Sequence, residues 1–140
     1  PFSPMTIAVS VFAAAVAQAV ADFDPSLTLV ALAGGELARA GKEAGLRVAQ
    51  EFFADRNYTD AGTLVPRSQE NATIADEKFA VERVVRVVRE GTIESVTGKT
   101  IEVAADTICV HGDNAHALEF ARDIREALTQ AGIELRPASE

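Results

Sequence analysis

Short apolar runs alternate with helix-like segments along this chain, and that order restricts the fold more than any other feature. Met5 to Ala21 is apolar enough to predict a buried helix. Leu27 to Leu32, with its Leu-Thr-Leu-Val core, predicts a strand. Gly35 to Gly45 contains a short helix ending at a glycine, and Leu46 to Glu51 is a second strand. Asp76 to Glu90 predicts a helix capped by Asp76 and stopped by Gly91, with Val81, Val84, Val85 and Val88 on one face. Arg83, Arg86 and Arg89 alternate with those valines and read as solvent-facing; Phe79 falls off the stripe and is expected to pack under the incoming loop. Ile93 to Val96 and Ile101 to Val103 flank Thr97-Gly98-Lys99-Thr100, a hairpin signal. Thr107 to Val110 is a third core strand. Ala115 to Ala131 is the last long helix, with Leu118, Phe120, Ala121, Ile124 and Leu128 inward, and Ile133 to Leu135 a short final strand. Strand and helix in alternation predict an α/β fold with parallel strands joined by right-handed crossovers. The 140 residues suffice for one domain with one core.

The strand at Thr107 to Val110 ends at His111-Gly112-Asp113. α/β folds place their chemistry at the carboxyl ends of strands. A histidine beside an aspartate there can serve as acid, base or metal ligand near neutral pH. The same residues also suit a plainer role, with Asp113 or Asn114 capping the next helix and His111 on a surface loop. Cys109, inside the apolar run, reads as a small buried hydrophobe, because nothing local would lower its pKa. His116 is expected to be exposed within the last helix.

The second strand runs into Glu51-Phe52-Phe53-Ala54-Asp55-Arg56-Asn57-Tyr58, and the loop continues through Gly62-Thr63-Leu64-Val65-Pro66-Arg67-Ser68. Long loops of this kind in compact domains are often functional. Glu51 and Asp55 are candidate carboxylates at a strand end. Arg56 and Arg67 carry guanidinium forks suited to a carboxylate or phosphate, or to a structural ion pair within the loop. Tyr58 can donate to a developing oxyanion or pack the loop.

Together these stretches resemble the LamB/YcsF family. The shared pattern is E-x-F-A-D-R-x-Y-x-x-x-G-T-L-V-P-R-S, followed after a helix by A-D-T-x-C-V-H-G-D. Leu32-Ala33-Gly34-Gly35-Glu36-Leu37 is similar to the family's L-A-G-S-E-L, with Gly35 in place of Ser. Asn71-Ala72 stands where the family usually has a Gly-Ala pair, and Asn tolerates positive φ there if the backbone needs it. The resemblance spans nearly the whole chain but only the second half of a family pattern of roughly 250 residues, the size of one α/β barrel. It implies a single partial domain over residues 1–140, the second half of an irregular, TIM-like (β/α) barrel. Half a barrel leaves two strand edges open, and open apolar edges pair with something: the N-terminal half or a second copy of the chain.

The resemblance also implies an activity: opening the lactam of 5-oxoproline to glutamate, driven by ATP, as one component of a 5-oxoprolinase whose B and C subunits are its partners. A lactam carbonyl is stabilised by amide resonance, so converting its oxygen into a better leaving group explains the need for ATP. No G-x-x-x-x-G-K-[ST] loop occurs in this chain, which puts the ATP site on the partner subunits. On this reading His111, Asp113, Glu51 and Asp55 are the catalytic candidates, and Arg56, Tyr58 and Arg67 the substrate-binding ones. A divalent metal is a second use open to the same groups. A non-catalytic interaction module and a metal-dependent amide or sugar deacetylase are the competing readings, the latter by fold analogy alone.

The net charge of -8 argues against nucleic acid, whose phosphates demand basic patches. One cysteine excludes an internal disulfide framework and fits a reducing compartment, the cytoplasm. Met5 to Ala21 lacks a basic flank and is interrupted by Ser10 and Gln18, so no membrane role is expected.

Overall fold

A computed structural model describes residues 4–112 and 116–138. The elements run α1 (Pro4–Phe23), β1 (Thr28–Leu32), α2 (Glu36–Glu43), β2 (Arg47–Phe53), α3 (Glu77–Glu90), β3 (Thr92–Glu94), β4 (Thr100–Glu102), β5 (Thr107–Cys109) and α4 (Ala117–Gln130). The strands β1, β2 and β5 form a parallel sheet in the order β1-β2-β5, and β3 pairs with β4 as a separate antiparallel hairpin. Parallel strands alternating with helices are what the sequence pattern predicts. β1 and β5 each have one neighbour in the sheet, so each carries an edge with no partner strand among the described residues.

Register sets which side chains share a face. Phe53 lies opposite Cys109, and Glu51 opposite Thr107. Side chains alternate across a strand, so Glu51 and Phe53 share one face of the sheet with Thr107 and Cys109. Phe52 points the other way into the main core, with Ala80, Val84 and Val87 of α3 and Phe120, Ile124 and Leu128 of α4. A second, smaller cluster joins Ala13 and Ala17 of α1 to Ala40 of α2. There α2 lies close on the sheet because Gly41 has no side chain: a Cβ would come within 2.6 Å of Leu29 Cδ2 and 2.8 Å of Val48 Cγ2.

Local signals explain most boundaries. The Asp76 carboxylate accepts from Phe79 N–H at 3.1 Å, and Gly91 ends α3 in the left-handed conformation at φ 67°. Gly35 occupies the N-cap of α2 and offers no side-chain cap, where the family's Ser would supply one. Asp106 fixes the start of β5, its carboxylate accepting from Gln50 N–H at 2.9 Å.

Several expectations need correction. Arg83 is not on a solvated face: it is 6% exposed, in a buried stripe with Ala80, Val84 and Val87. Phe79 does not pack under the loop but is 51% exposed. Leu118 is 64% exposed and Ala121 is exposed too, because the inward stripe of α4 is Phe120, Ile124 and Leu128, at the i, i+4, i+8 spacing of one helical face. Ile133 to Leu135 forms no strand; it follows the α4 turn without a backbone partner of the kind a strand requires. His116 is the N-cap residue of α4 rather than a helical one, and it is exposed as expected. No described residue other than glycine has positive φ, so Asn71 carries no left-handed strain.

Candidate active site

The site forms where β2 and β5 end. The ladder continues past the strands, with Ala54 N–H donating to Cys109 O at 3.1 Å, and so brings the two chain exits together. Asp55 lies two residues beyond β2 and His111 two beyond β5. Their side chains meet: His111 Nδ1 is 2.7 Å from Asp55 Oδ2 and 2.9 Å from Oδ1. The pair is partly enclosed, with side chains 22% and 21% exposed. An ionised carboxylate has no proton to offer, so Nδ1 carries the hydrogen and Nε2 is the nitrogen left for chemistry. The Phe53 ring lies beside the imidazole, centroids 5.6 Å apart and tilted by 31°.

Glu51 and Cys109 continue the same face toward the sheet. The Cys109 thiol is pushed up to about 11, first by burial, then by the charges of Glu51 and Asp55 and a hydrogen bond to Glu51. It is therefore a protonated donor near neutral pH rather than a nucleophile, in keeping with its reading as a small, inert side chain.

The loop after β2 is ordered by its own bonds. Arg56 Nε donates to Ala72 O at 3.1 Å and its Nη2 to Val65 O at 2.6 Å. Isolated bridges pair Arg56 with Thr73 and Tyr58 with Leu64. Tyr58 is 0% exposed, its ring stacks on Phe52 at 5.4 Å, and its phenol oxygen accepts from Phe53 N–H at 2.9 Å. Burial pushes the phenol up to about 12. The Asp60 carboxylate accepts from Ser95 Oγ at 2.6 Å and Thr97 Oγ1 at 2.7 Å, tying the loop to the β3–β4 hairpin.

The sequence candidates thus separate into three groups. Asp55 and His111 come together, while Glu51 lies on the same sheet face with its described hydrogen bond going to Cys109. Arg56 and Tyr58 are buried with polar atoms bonded to backbone groups, an arrangement that favours the loop-packing alternative over the substrate-binding one. Arg67 stays on the exposed side of the loop. Asp113 lies outside the described residues. Among those described, no group of three or more His, Cys, Asp or Glu side chains is set to hold a metal ion. The residue that sequence reasoning missed is Arg83, whose Nη1 donates to Arg56 O at 2.7 Å. Its signal was the i, i+3, i+4, i+7 spacing of Ala80, Arg83, Val84 and Val87.

A parallel α/β layer with an Asp–His pair at its strand ends defines a class, the β/α proteins that do chemistry at the carboxyl edge of a sheet. A model of the LamB/YcsF family matches residues 4–140, and the chain belongs to that family. It is 52% identical over 122 residues to the 5-oxoprolinase A subunit of Tolumonas auensis, covering 87% of this chain and 49% of that protein. It is 49% identical over 126 residues to the 5-oxoprolinase A subunit of Bacillus subtilis, covering 90% and 49% respectively. The crystal structure of a lactam utilization protein from Thermus thermophilus superposes with a TM-score of 0.81 at 44% identity, covering 91% of this chain and 50% of that one. That likeness agrees with the expected part of an irregular β/α barrel. The chain spans about half the length of the curated relatives it matches. Among the described residues no helix is long and apolar enough to cross a membrane.

Proposed function

We propose that this chain is part of the A subunit of an ATP-dependent 5-oxoprolinase, and that His111 and Asp55 work on the lactam ring. The observation that carries the reading is the 2.7 Å contact between His111 and Asp55 at adjoining strand ends. Asp55 fixes the imidazole tautomer through Nδ1–H. Nε2 then accepts a proton from the water attacking the lactam carbonyl carbon and returns it to the ring nitrogen as the C–N bond breaks. Glu51, held by the Cys109 thiol, supplies a carboxylate on the same face. Asp113 and the exposed Arg67 complete the candidate set, Arg67 for the substrate carboxylate. ATP, bound on the B and C subunits, would give its terminal phosphoryl group to the lactam oxygen and leave as ADP; the acyl phosphate that remains when the C–N bond breaks is hydrolysed by a second water to carboxylate and phosphate.

The chain acts as one partial domain, in the cytoplasm, completed by the rest of the same polypeptide or by a second copy along the edges of β1 and β5 that have no partner strand among the described residues. The test is ATP-dependent release of glutamate from 5-oxoproline. The full-length protein with its partners should show it, and the 140-residue chain with ATP alone should not. Glutamate release by the chain alone, or none by the full assembly, would sink the reading.

A further inference from the structure

We propose that Arg83 is a positioning residue for the His111–Asp55 pair, acting through the backbone of the loop that carries Asp55. The inference rests on the reading of that pair given above only for its effect on turnover; its structural effect stands alone. The Arg83 guanidinium is buried, and its carbon lies 5.3 Å from the ring centroids of both Phe52 and Tyr58. Its Nη1 donates to Arg56 O at 2.7 Å, while Nη2, also buried, has no hydrogen-bond partner among the described residues. Its described contacts are therefore two ring faces and one carbonyl, with no carboxylate. A buried cation without a counter-ion is costly, and an apolar side chain of similar volume would pack there with less penalty. What an apolar replacement could not supply is the stack on two rings together with a donor to the Arg56 carbonyl.

Asp55 O accepts from Ile74 N–H at 2.9 Å, and the next carbonyl, Arg56 O, accepts from Arg83. The two peptide planes flanking Arg56 are thereby fixed, and the Asp55 side chain leaves the backbone beside the first of them. Arg83 also lies on the Tyr58 ring. Tyr58 in turn accepts from Phe53 N–H, and the Phe53 ring borders His111. One guanidinium thus supports both members of the pair through the residues between them.

The test is the imidazole Nδ1–H resonance of His111, which a bond to a carboxylate moves downfield and protects from solvent exchange. It is read by proton NMR of the full-length protein and of three variants. Arg83→Met should move the resonance upfield or broaden it away. Arg83→Lys, which keeps a donor but not the planar stack, should fall between Met and the parent. Arg86→Met, at a half-buried α3 position whose described ion pairs go to Glu90 and Glu94, should leave it in place. In the full-length enzyme Arg83→Lys should lower kcat by about tenfold with KM little changed, the scale of a sub-ångström misplacement. If Arg83→Met does not fold, Arg83→Lys alone decides the matter. A folded Arg83 variant with the His111 resonance unmoved overturns the proposal. If His111→Ala leaves full-length turnover intact while the Arg83 variants still shift the resonance, the positioning holds and the catalytic reading fails.

Discussion

The loop after β2 and the helix α1 invert the usual relation between regularity and burial. Residues 54–75 have almost no regular structure, yet they hold Tyr58 at 0% exposure and Val65 at 1%, and satisfy their polar groups through Arg56, Arg83, Asp60 and Ser95. Helix α1 is an unbroken Pro4–Phe23 helix, yet Phe12 is 74% exposed, Phe23 is 84% exposed, and Val9, Val11 and Val16 are exposed beside them. Among the described side chains of α1, Ala13 and Ala17 are the buried ones, packed against α2, with Ser10 Oγ donating to Glu36 at 2.8 Å. Internal satisfaction marks the loop as a finished part of the molecule. On α1, apolar side chains at Val9, Phe12, Val16 and Phe23 are exposed among the described residues, the kind of patch that sets an expectation of contact.

The comparison breaks first if the loop tolerates damage. Tyr58→Ala removes a buried ring, its stacking on Phe52 and the acceptor of Phe53 N–H. The expected loss is about 3–5 kcal/mol, read as a fall in the urea midpoint. A change below about 1 kcal/mol would mean the loop is not part of the folded core.

Alkali should weaken the loop side more gently. The phenol of Tyr58 is raised to about 12 in the folded protein, and the Cys109 thiol to about 11. Raised values mean the native state keeps protons that the unfolded chain gives up. The stability they contribute is whole below about pH 9 and lost as pH rises through the folded values toward 12. Thermal melts across that range should show a decline, with the Tyr58 part on the order of 2 kcal/mol by pH 12. In Tyr58→Phe that part should vanish. A flat profile would contradict the burial of both groups.

At α1 the smallest stability effect goes with an effect on association. Phe12→Ser should change the stability of the chain by no more than about 0.5 kcal/mol, as for most surface substitutions. The chain itself should associate at micromolar concentration, and Phe12→Ser should weaken that association in sedimentation velocity. A monomeric parent chain would show that α1 needs no cover.

Much of this was legible in the sequence because it depends on local signals. Asp76 and Gly91 bound α3 by capping chemistry, Gly98 marks the hairpin, and strand runs ending in acids and a histidine point to Glu51, Asp55 and His111. What stayed hidden depends on long-range partners. For Tyr58 and Arg56 the sequence left a binding and a loop-holding role open; the folded loop shows which backbone groups, Phe53 N–H, Ala72 O and Val65 O, take up their polar atoms. Arg83 was hidden by its charge, although it shares the buried helical stripe. Ile133 to Leu135 looked like a strand because propensity is local, whereas a strand also needs a neighbour.

The central claim is that two strand ends, far apart in sequence, bring His111 and Asp55 together for proton transfer at a lactam. Turnover of 5-oxoproline by the full-length enzyme with its partner subunits, carrying His111→Ala, tests it most directly. Loss of the acid/base group should lower turnover by a factor on the order of 10² or more with circular dichroism and melting unchanged. A folded His111→Ala enzyme that turns over at the parent rate would contradict it.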